Sequence, residues 1–405
     1  MKNPAVIYLD NAATSHPKPE DVYAAADLAF RGAGSAGRGA HRLALEASRT
    51  VFEVRTKLAK FLGAPSAERL IFTSGCTQSL NMVLKGLTAT KAGASQQRLL
   101  EGDAVVVSPL EHNAVMRPLN QLAGSLGIKV LKLNYAPGKV FDVAQLKEML
   151  NEHKPKLVVT IEGSNITGEV ADIAATAALC DNYGVPLVVD AAQTAGILPI
   201  DLSLPGLTFW CASAHKGLLG QSGLGLLYAA PGWDLEPLIA GGTGSASESL
   251  AMPSVHPDHL EAGTKPLPAI AALGAAVTWL ENTGVESIYK HELTLAERFC
   301  EYIEAHDFLR TVTPRGEGGR RIANVSFSVD GLTVDRVADI LDREYGIAVR
   351  AGLHCAALAH ETLGTRDSGL VRASFGWFNT LADVDSLTEA LTAMHAKSAA
   401  KKTRV

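Results

Sequence analysis

The sequence predicts an α/β protein: a large unit built on a mainly parallel sheet, then a smaller α+β unit. Three observations carry this expectation. From about residue 68, short apolar runs alternate with segments of helical periodicity, the pattern of a sheet with helices on both faces. After about residue 250 the texture changes to two long helices and then short mixed elements. Between the two regimes lies a Gly/Ser/Pro-rich stretch, GGTGSASESLAMPSVHP, from Gly241 to Pro257, the natural place for a boundary.

The elements follow in order. RLIFTSG reads as a strand and TQSLNMVLKGL as a helix; DAVVVSP is a strand, with helix after Asn113. KVLKLNY is a strand and VAQLKEMLNEH a helix; KLVVTIEGS is a strand, and DIAATAALCDNYG a helix ending on a glycine stop. VPLVVDAAQ, LTFWCASAHKG and GLGLLYAA are further strands. In the second unit, LEAGTKPLPAIAALGAAVTWLENTG opens one long helix and ESIYKHELTLAERFCEYIEAH forms another. RIANVSFSVD (strand), TVDRVADILDREYG (helix), IAVRAGLHC, LVRASFGWFNT and a helix near DVDSLTEALTAMH complete the chain.

A length of 405 residues suggests two or more domains, and 47% hydrophobic residues allow a large core, which argues against a disordered scaffold. A net charge of -5 asks for neither nucleic acid nor an anionic membrane as partner. The basic tail KSAAKKTR, Lys397 to Arg404, reads as a frayed, solvated terminus. Five scattered cysteines, with no C-x-x-C pair, disfavour a disulfide framework or a metal site and fit a reducing compartment. The opening MKNPAVIYLDNAAT does not read as a signal peptide and no apolar run spans a bilayer, so the expected location is cytoplasmic.

Polar residues at expected strand ends are the candidates for chemistry, because open α/β sheets bind ligands there. In Ser213-Ala214-His215-Lys216-Gly217, a lysine beside hydroxyl and imidazole groups can be desolvated into a reactive amine, or be an ordinary loop lysine. Asp190 closes an apolar strand; it can hold a cofactor's ring nitrogen or cap a helix. Ser74-Gly75-Cys76-Thr77 is a strand-to-helix turn suited to phosphate, or a plain helix start. His112, in Glu111-His112-Asn113, can stack on a ring and pass protons, or simply cap. Asn165 is a possible substrate donor or a turn residue. Arg350, His354 and Cys355 put a thiol beside cationic groups, which favour thiolate; the alternative is an inert buried cysteine. Arg372 can grip a carboxylate bidentately or form a structural ion pair.

Taken together, YLDNAATSHPKP, SAHKG, EAGT, RAGLHCA and VRASFGWFNT make the chain resemble the class V aminotransferases over nearly its whole length, specifically the cysteine desulfurases and selenocysteine lyases. The resemblance implies the type I fold of pyridoxal 5′-phosphate (PLP) enzymes and a homodimer. It implies a large PLP-binding domain over residues 1–255, with roughly the first 15 residues packing on a small domain over 256–405 that carries the cysteine loop. Lys216 then resembles the Schiff-base lysine, Asp190 the partner of the ring nitrogen, Gln193 that of the phenolic oxygen, and His112 the stacked proton carrier. Thr77 and the Cys76 backbone, with Ser213 and His215, resemble the phosphate cradle, and Thr264 a phosphate contact from the other subunit. Asn165, Arg350 and Arg372 are expected at the substrate, and Cys355 sits where the family carries its persulfide-forming cysteine. The implied reaction takes L-cysteine or L-selenocysteine to alanine and hands sulfur to an acceptor protein or thiol, as iron–sulfur cluster assembly requires. The short connection from Cys355 to Arg372 is similar to the group that includes selenocysteine lyases. Two readings compete: another class V aminotransferase or lyase with Cys355 incidental, and a non-catalytic binding protein. The chain departs from the family at Ala214, Gln221, Lys265-Pro266 and Leu353, positions that bear on substrate preference.

Overall fold

The computed structural model describes residues 6–32, 34–37, 39–88, 98–313 and 319–402. In chain order the first part holds β1 (Ile7–Tyr8), α1 (Glu20–Gly32), α2 (Arg42–Phe61), β2 (Leu70–Thr73), α3 (Cys76–Gly86), β3 (Ala104–Val107), α4 (Asn113–Leu126) and β4 (Lys129–Lys132). Next come α5 (Val143–His153), β5 (Leu157–Ile161), α6 (Ile173–Tyr183), β6 (Leu187–Asp190), β7 (Leu207–Ser213) and β8 (Gly225–Ala229). The remainder is α7 (Leu267–Thr283), α8 (Val285–Glu304), β9 (Leu309–Thr311), β10 (Asn324–Val329), α9 (Val334–Tyr345), β11 (Ile347–Ala348), β12 (Arg350–Gly352), α10 (Ala357–Thr362), β13 (Leu370–Ser374) and α11 (Leu381–Lys402).

The main sheet has seven strands in the order β2-β8-β7-β6-β5-β3-β4. Only β8 opposes its neighbours; the remaining pairings are parallel. Its central strands are buried along their length, as a sheet covered on both faces requires. Parallel strands put their carboxyl ends on one edge, and that edge gathers the site. The expected glycine stop is real: Gly184 ends α6 in the left-handed region, φ 61°.

A second sheet, β12-β13-β10-β9, is antiparallel. The stretch IAVRAGLHC divides between two partners: β11 pairs in parallel with β1, and β12 pairs with β13. Leu9 thereby joins the second sheet's core with Phe299, Phe327 and Val371. Helices α1 and α2 both pack on α7, and at Gly274 an added Cβ would lie 2.6 Å from Val54 Cγ2, so only glycine permits this approach. The basic tail is not frayed throughout: α11 continues to Lys402, and Lys397 pairs with Glu344 at 2.8 Å, while residues 403–405 lie outside the described residues. Among the described residues no helix is long and apolar enough to cross a membrane.

One buried ion network ties α2 to the segment before α7. Arg55 makes two bonds to Glu261, 2.7 and 2.9 Å, and lies over the Phe72 ring at 4.3 Å. Glu261 also accepts the Phe72 N–H at 2.6 Å and pairs with Lys265 at 3.2 Å. The departure at Lys265 thus adds a second cation to a buried carboxylate. Removing Arg55 leaves the buried Glu261 with Lys265 as its one remaining cation among the described residues: Arg55→Met is expected to lower stability by about 3 kcal/mol, read as an earlier urea midpoint at unchanged slope.

Candidate active site

A cavity of about 140 Å3 opens at the carboxyl ends of the main strands, lined by Cys76, Thr77, His112, Asn165, Asp190, Gln193, Ser213, His215 and Lys216. Residues spread over 141 positions of sequence meet here because β2, β3, β5, β6 and β7 end on the same edge.

Asp190 ends β6 and is 3% exposed. Its Oδ1 accepts the Ala192 N–H at 3.0 Å and the Cys76 thiol at 3.4 Å. Burial pushes the Cys76 thiol well up, and the Asp190 charge pushes it further, so Cys76 is a proton donor here rather than a nucleophile. Lys216 follows β7. Desolvation is the largest influence on its amine and lowers its pKa; Asp190 and Cys76 oppose this, and Arg372 and Arg350 reinforce it. The backbone before Lys216 is fixed: the His215 carbonyl accepts from the Ser15 N–H, the Thr14 and Ser15 hydroxyls and the Lys18 ammonium, each at 3.1 Å.

The opposite end of the cavity suits an anion. Gly75 brings no side-chain cap to α3, which leaves first-turn N–H groups for a ligand. The Cys76 N–H reaches Ser213 Oγ at 3.3 Å. A Cβ on Gly225 would lie 2.5 Å from the Gly75 backbone, so glycine is needed for this turn to sit on β8. His215 Nδ1 is buried without a partner, and burial, then Lys216 and Lys18, hold its imidazole down to about 4, neutral at pH 7. An anion cradle, a carboxylate and a desolvated amine in one cavity fit a phosphorylated heteroaromatic aldehyde.

His112 both lines the cavity and caps α4, its Nδ1 accepting the Ala114 N–H at 3.0 Å. Burial, against Asp190, lowers its pKa to about 4. A neutral imidazole that accepts at Nδ1 carries its proton on Nε2, which is therefore the atom available for proton transfer. Gln193 donates from Nε2 to the Ala12 carbonyl at 3.0 Å, and its Oε1 accepts from Asn324 at 3.4 Å.

The second sheet brings the remaining residues. Arg350 and Arg372 are cross-strand partners on β12 and β13. Arg372 is 1% exposed; it pairs with Asp10 at 2.8 Å and donates to the Asn165 carbonyl at 3.1 Å, with Nε left unpartnered. Of five free cysteines only Cys355 is exposed. Its carbonyl accepts the Asn113 N–H at 2.8 Å, and Arg350 Nη2 stands 3.5 Å from its sulfur. His354 corrects the expectation of two flanking cations: it is buried, and desolvation followed by Arg372 lowers it to about 3, so at neutral pH only Arg350 is charged beside the thiol. Thr264 is not in this cavity; it lines another, of about 280 Å3, with Ser74, Gln78 and Lys265.

Reading the sequence missed Asp10 and Glu111 as site residues. Glu111, 0% exposed, accepts the Ser108 hydroxyl and the Ile161 N–H, both at 2.6 Å, so it joins the ends of β3 and β5. Burial pushes its carboxyl up to about 8. A carboxyl at 4.5 when unfolded and about 8 when folded keeps its proton longer in the native state, so its contribution to stability is full below pH 4.5 and is lost as pH rises through about 8. Glu111→Gln, neutral throughout, is expected to flatten the stability profile over that interval, measured as urea midpoints at successive pH values.

With this geometry established, known proteins can be compared. The family model for aminotransferase class-V matches residues 7–387. A probable cysteine desulfurase of Halobacterium salinarum is 33% identical over 95% of this chain and 91% of its own length. A cysteine desulfurase of Haloferax volcanii is 31% identical, over 96% and 89% respectively. The apo structure of a cysteine desulfurase from Thermococcus onnurineus superposes with a TM-score of 0.86 at 30% identity, covering 96% of this chain and 94% of that one. A cysteine desulfurase structure from Escherichia coli gives 0.82 at 29% identity, covering 96% and 94%.

Proposed function

This chain belongs to the class-V aminotransferase family, and from that membership and the site just described we propose that it is a PLP-dependent cysteine desulfurase converting L-cysteine to L-alanine. The carrying observation is one cavity that holds a desolvated amine and a buried carboxylate, with its lining residue Asn165 bonded to the loop that bears the exposed thiol of Cys355. Lys216 would hold the cofactor, Asp190 would face its ring nitrogen, Gln193 its phenolic oxygen, and Thr77, Cys76, Ser213 and His215 its phosphate. When bound, PLP supplies an electron sink for the carbon bearing the substrate's amine.

The chain's own residues do the rest. Lys216, whose amine burial makes easier to deprotonate, is the base for the Cα proton. His112 moves protons at Nε2. Arg372 Nε, buried and unpartnered, and Asn165 take the substrate carboxylate. The Cys355 sulfur bonds to the substrate's sulfur as the Cβ–S bond breaks. The sulfur pair stays on Cys355 as a persulfide, Cβ takes a proton, and alanine leaves. The carbon is reduced as the thiol is oxidised, so no outside oxidant is needed. An exposed Cys355 suits delivery of that sulfur to an acceptor protein or thiol, and a thiol that must stay free suits a reducing, cytoplasmic setting.

We place the enzyme in a homodimer, in which Thr264 of one subunit completes the phosphate site of the other. Exposed Leu28 and Phe30 on α1 and Phe52 on α2 supply apolar surface for such contact. Sedimentation should give twice the chain mass.

Borohydride reduction followed by digestion tests the attachment: the tag belongs on Lys216, and Lys216→Ala should carry none. A tag on another lysine ends this reading. Cys355→Ala should keep the tag and lose alanine formation from L-cysteine. Full alanine formation in that variant would make the thiol incidental and return the chain to another class-V activity; L-selenocysteine, run in parallel, reports substrate preference.

A further inference from the structure

The carboxylate site and the thiol loop share one side chain. Asn165 is 4% exposed and lines the cavity. Its Nδ2 donates to the His354 carbonyl at 2.9 Å, a bond between residues 189 apart in sequence, and its Oδ1 is buried without a partner. Its backbone carbonyl is held by Arg372 Nη1 at 3.1 Å. The loop on the other side of that bond is strained. His354 and Cys355 are both left-handed, φ 49° and 56°, a conformation that side-chain-bearing residues keep only where their surroundings over-determine it. The loop's backbone is restrained by Asn113 N–H on the Cys355 carbonyl at 2.8 Å, Ala356 N–H on the Leu353 carbonyl at 2.9 Å and Asn165 on His354, and its side chains by Arg350, whose carbonyl lies 3.3 Å from His354 Nε2 and whose Nη2 lies 3.5 Å from the Cys355 sulfur.

An asparagine amide has two N–H donors. One is committed to His354; the other is free for a ligand in the cavity. We propose that Asn165 is a bridge: a substrate carboxylate binding to its second N–H fixes the amide in the orientation that holds the His354 carbonyl, so the Cys355 loop is held more tightly when substrate is present than when the cavity is empty. The unpartnered Arg372 Nε–H fits a site completed by an anionic ligand, since native folds leave few buried polar groups unmatched. The chemical consequence is that the sulfur nucleophile is placed more accurately opposite a bound substrate, which raises its effective concentration there and limits misplaced attack. The inference rests on the reading of Asn165 and Arg372 as the carboxylate site.

Amide hydrogen exchange of the peptide spanning residues 350–360 tests it in the holoenzyme. The probe is L-alanine, which has the substrate's carboxylate and amine but no sulfur; saturation is read from the cofactor absorbance. In the unsubstituted protein, L-alanine should slow exchange in this peptide by on the order of fivefold. Asn165→Ala should exchange faster than the unsubstituted protein by a similar factor and should show no slowing at saturating L-alanine. Asn165→Asp, nearly isosteric but without donors, should behave likewise if the alanine variant folds poorly. Equal slowing in a variant and the unsubstituted protein, or unchanged exchange on saturation, overturns the bridge and leaves the proposed activity standing. Faster exchange on adding L-alanine would also overturn it, because ligand and loop would then compete for one N–H. Failure of L-alanine to perturb the cofactor at any concentration removes the carboxylate site itself, and both readings fall.

Discussion

A guanidinium that is 1% exposed cannot stand without an anion, and the site is arranged around that constraint. Arg372 sits on β13, in the middle of the second sheet, facing the first. Its permanent charge is met by Asp10, which follows β1, and by the carbonyl of Asn165, which follows β5. Three distant stretches are thereby fixed relative to one another. Breaking a buried pair costs several kcal/mol, so the N-terminal segment is held to the C-terminal sheet by more than the two-residue pairing of β1 with β11. The same segment continues through Thr14, Ser15 and Lys18 onto the carbonyl of His215, beside Lys216. One stretch of chain therefore links the residue proposed to grip substrate with the residue proposed to carry the cofactor.

Desolvation sets the direction of most titrations at this edge. It is the largest influence on Lys216, His112, His215, His354 and Glu111, and in each case it disfavours the charged form. The result is a site whose imidazoles are neutral at pH 7. Arg372 and Asp10 face each other at 2.8 Å, so the buried guanidinium has a carboxyl partner. Neutral groups can exchange protons with a substrate without first shedding charge into a low-dielectric cavity. That is why burial helps the proposed chemistry rather than hindering it.

Much of the main sheet was legible because its strands are short apolar runs that end on chemically distinctive residues. Asp190, His112 and Lys216 each close such a run or follow one, and the sheet brings them together as strand-end placement implies. Helix α1 was not legible: its apolar residues include exposed Leu28 and Phe30 as well as buried Val22, so no single apolar stripe marks it. Strands β1 and β11, two residues each, are too short to show a period. The pairing of Asp10 with Arg372 spans 362 residues and has no local signal at either end. Adjacency in sequence was misleading at His354, which stands next to Cys355 and was expected to be a cation. Burial, which a single sequence does not report, makes it neutral.

Exposure separates Cys355 from the other cysteines, and the distinction follows from what a sulfur carrier must do. Cys76, Cys180 and Cys211 have thiols pushed up by burial, so they hold their protons and stay inert. A cysteine that takes sulfur inside a cavity and gives it up outside must reach both places, and a regular element would fix it in one. The strand β12 stops at Gly352 and α10 begins at Ala357, leaving Cys355 on the short turn between them. The turn is anchored inward through two backbone carbonyls, those of His354 and Cys355, and the thiol itself is left to solvent. Anchoring by carbonyls restrains the loop while the sulfur meets, among the described residues, only the cationic Arg350 at 3.5 Å, so the thiol stays accessible while its position depends on what the cavity holds.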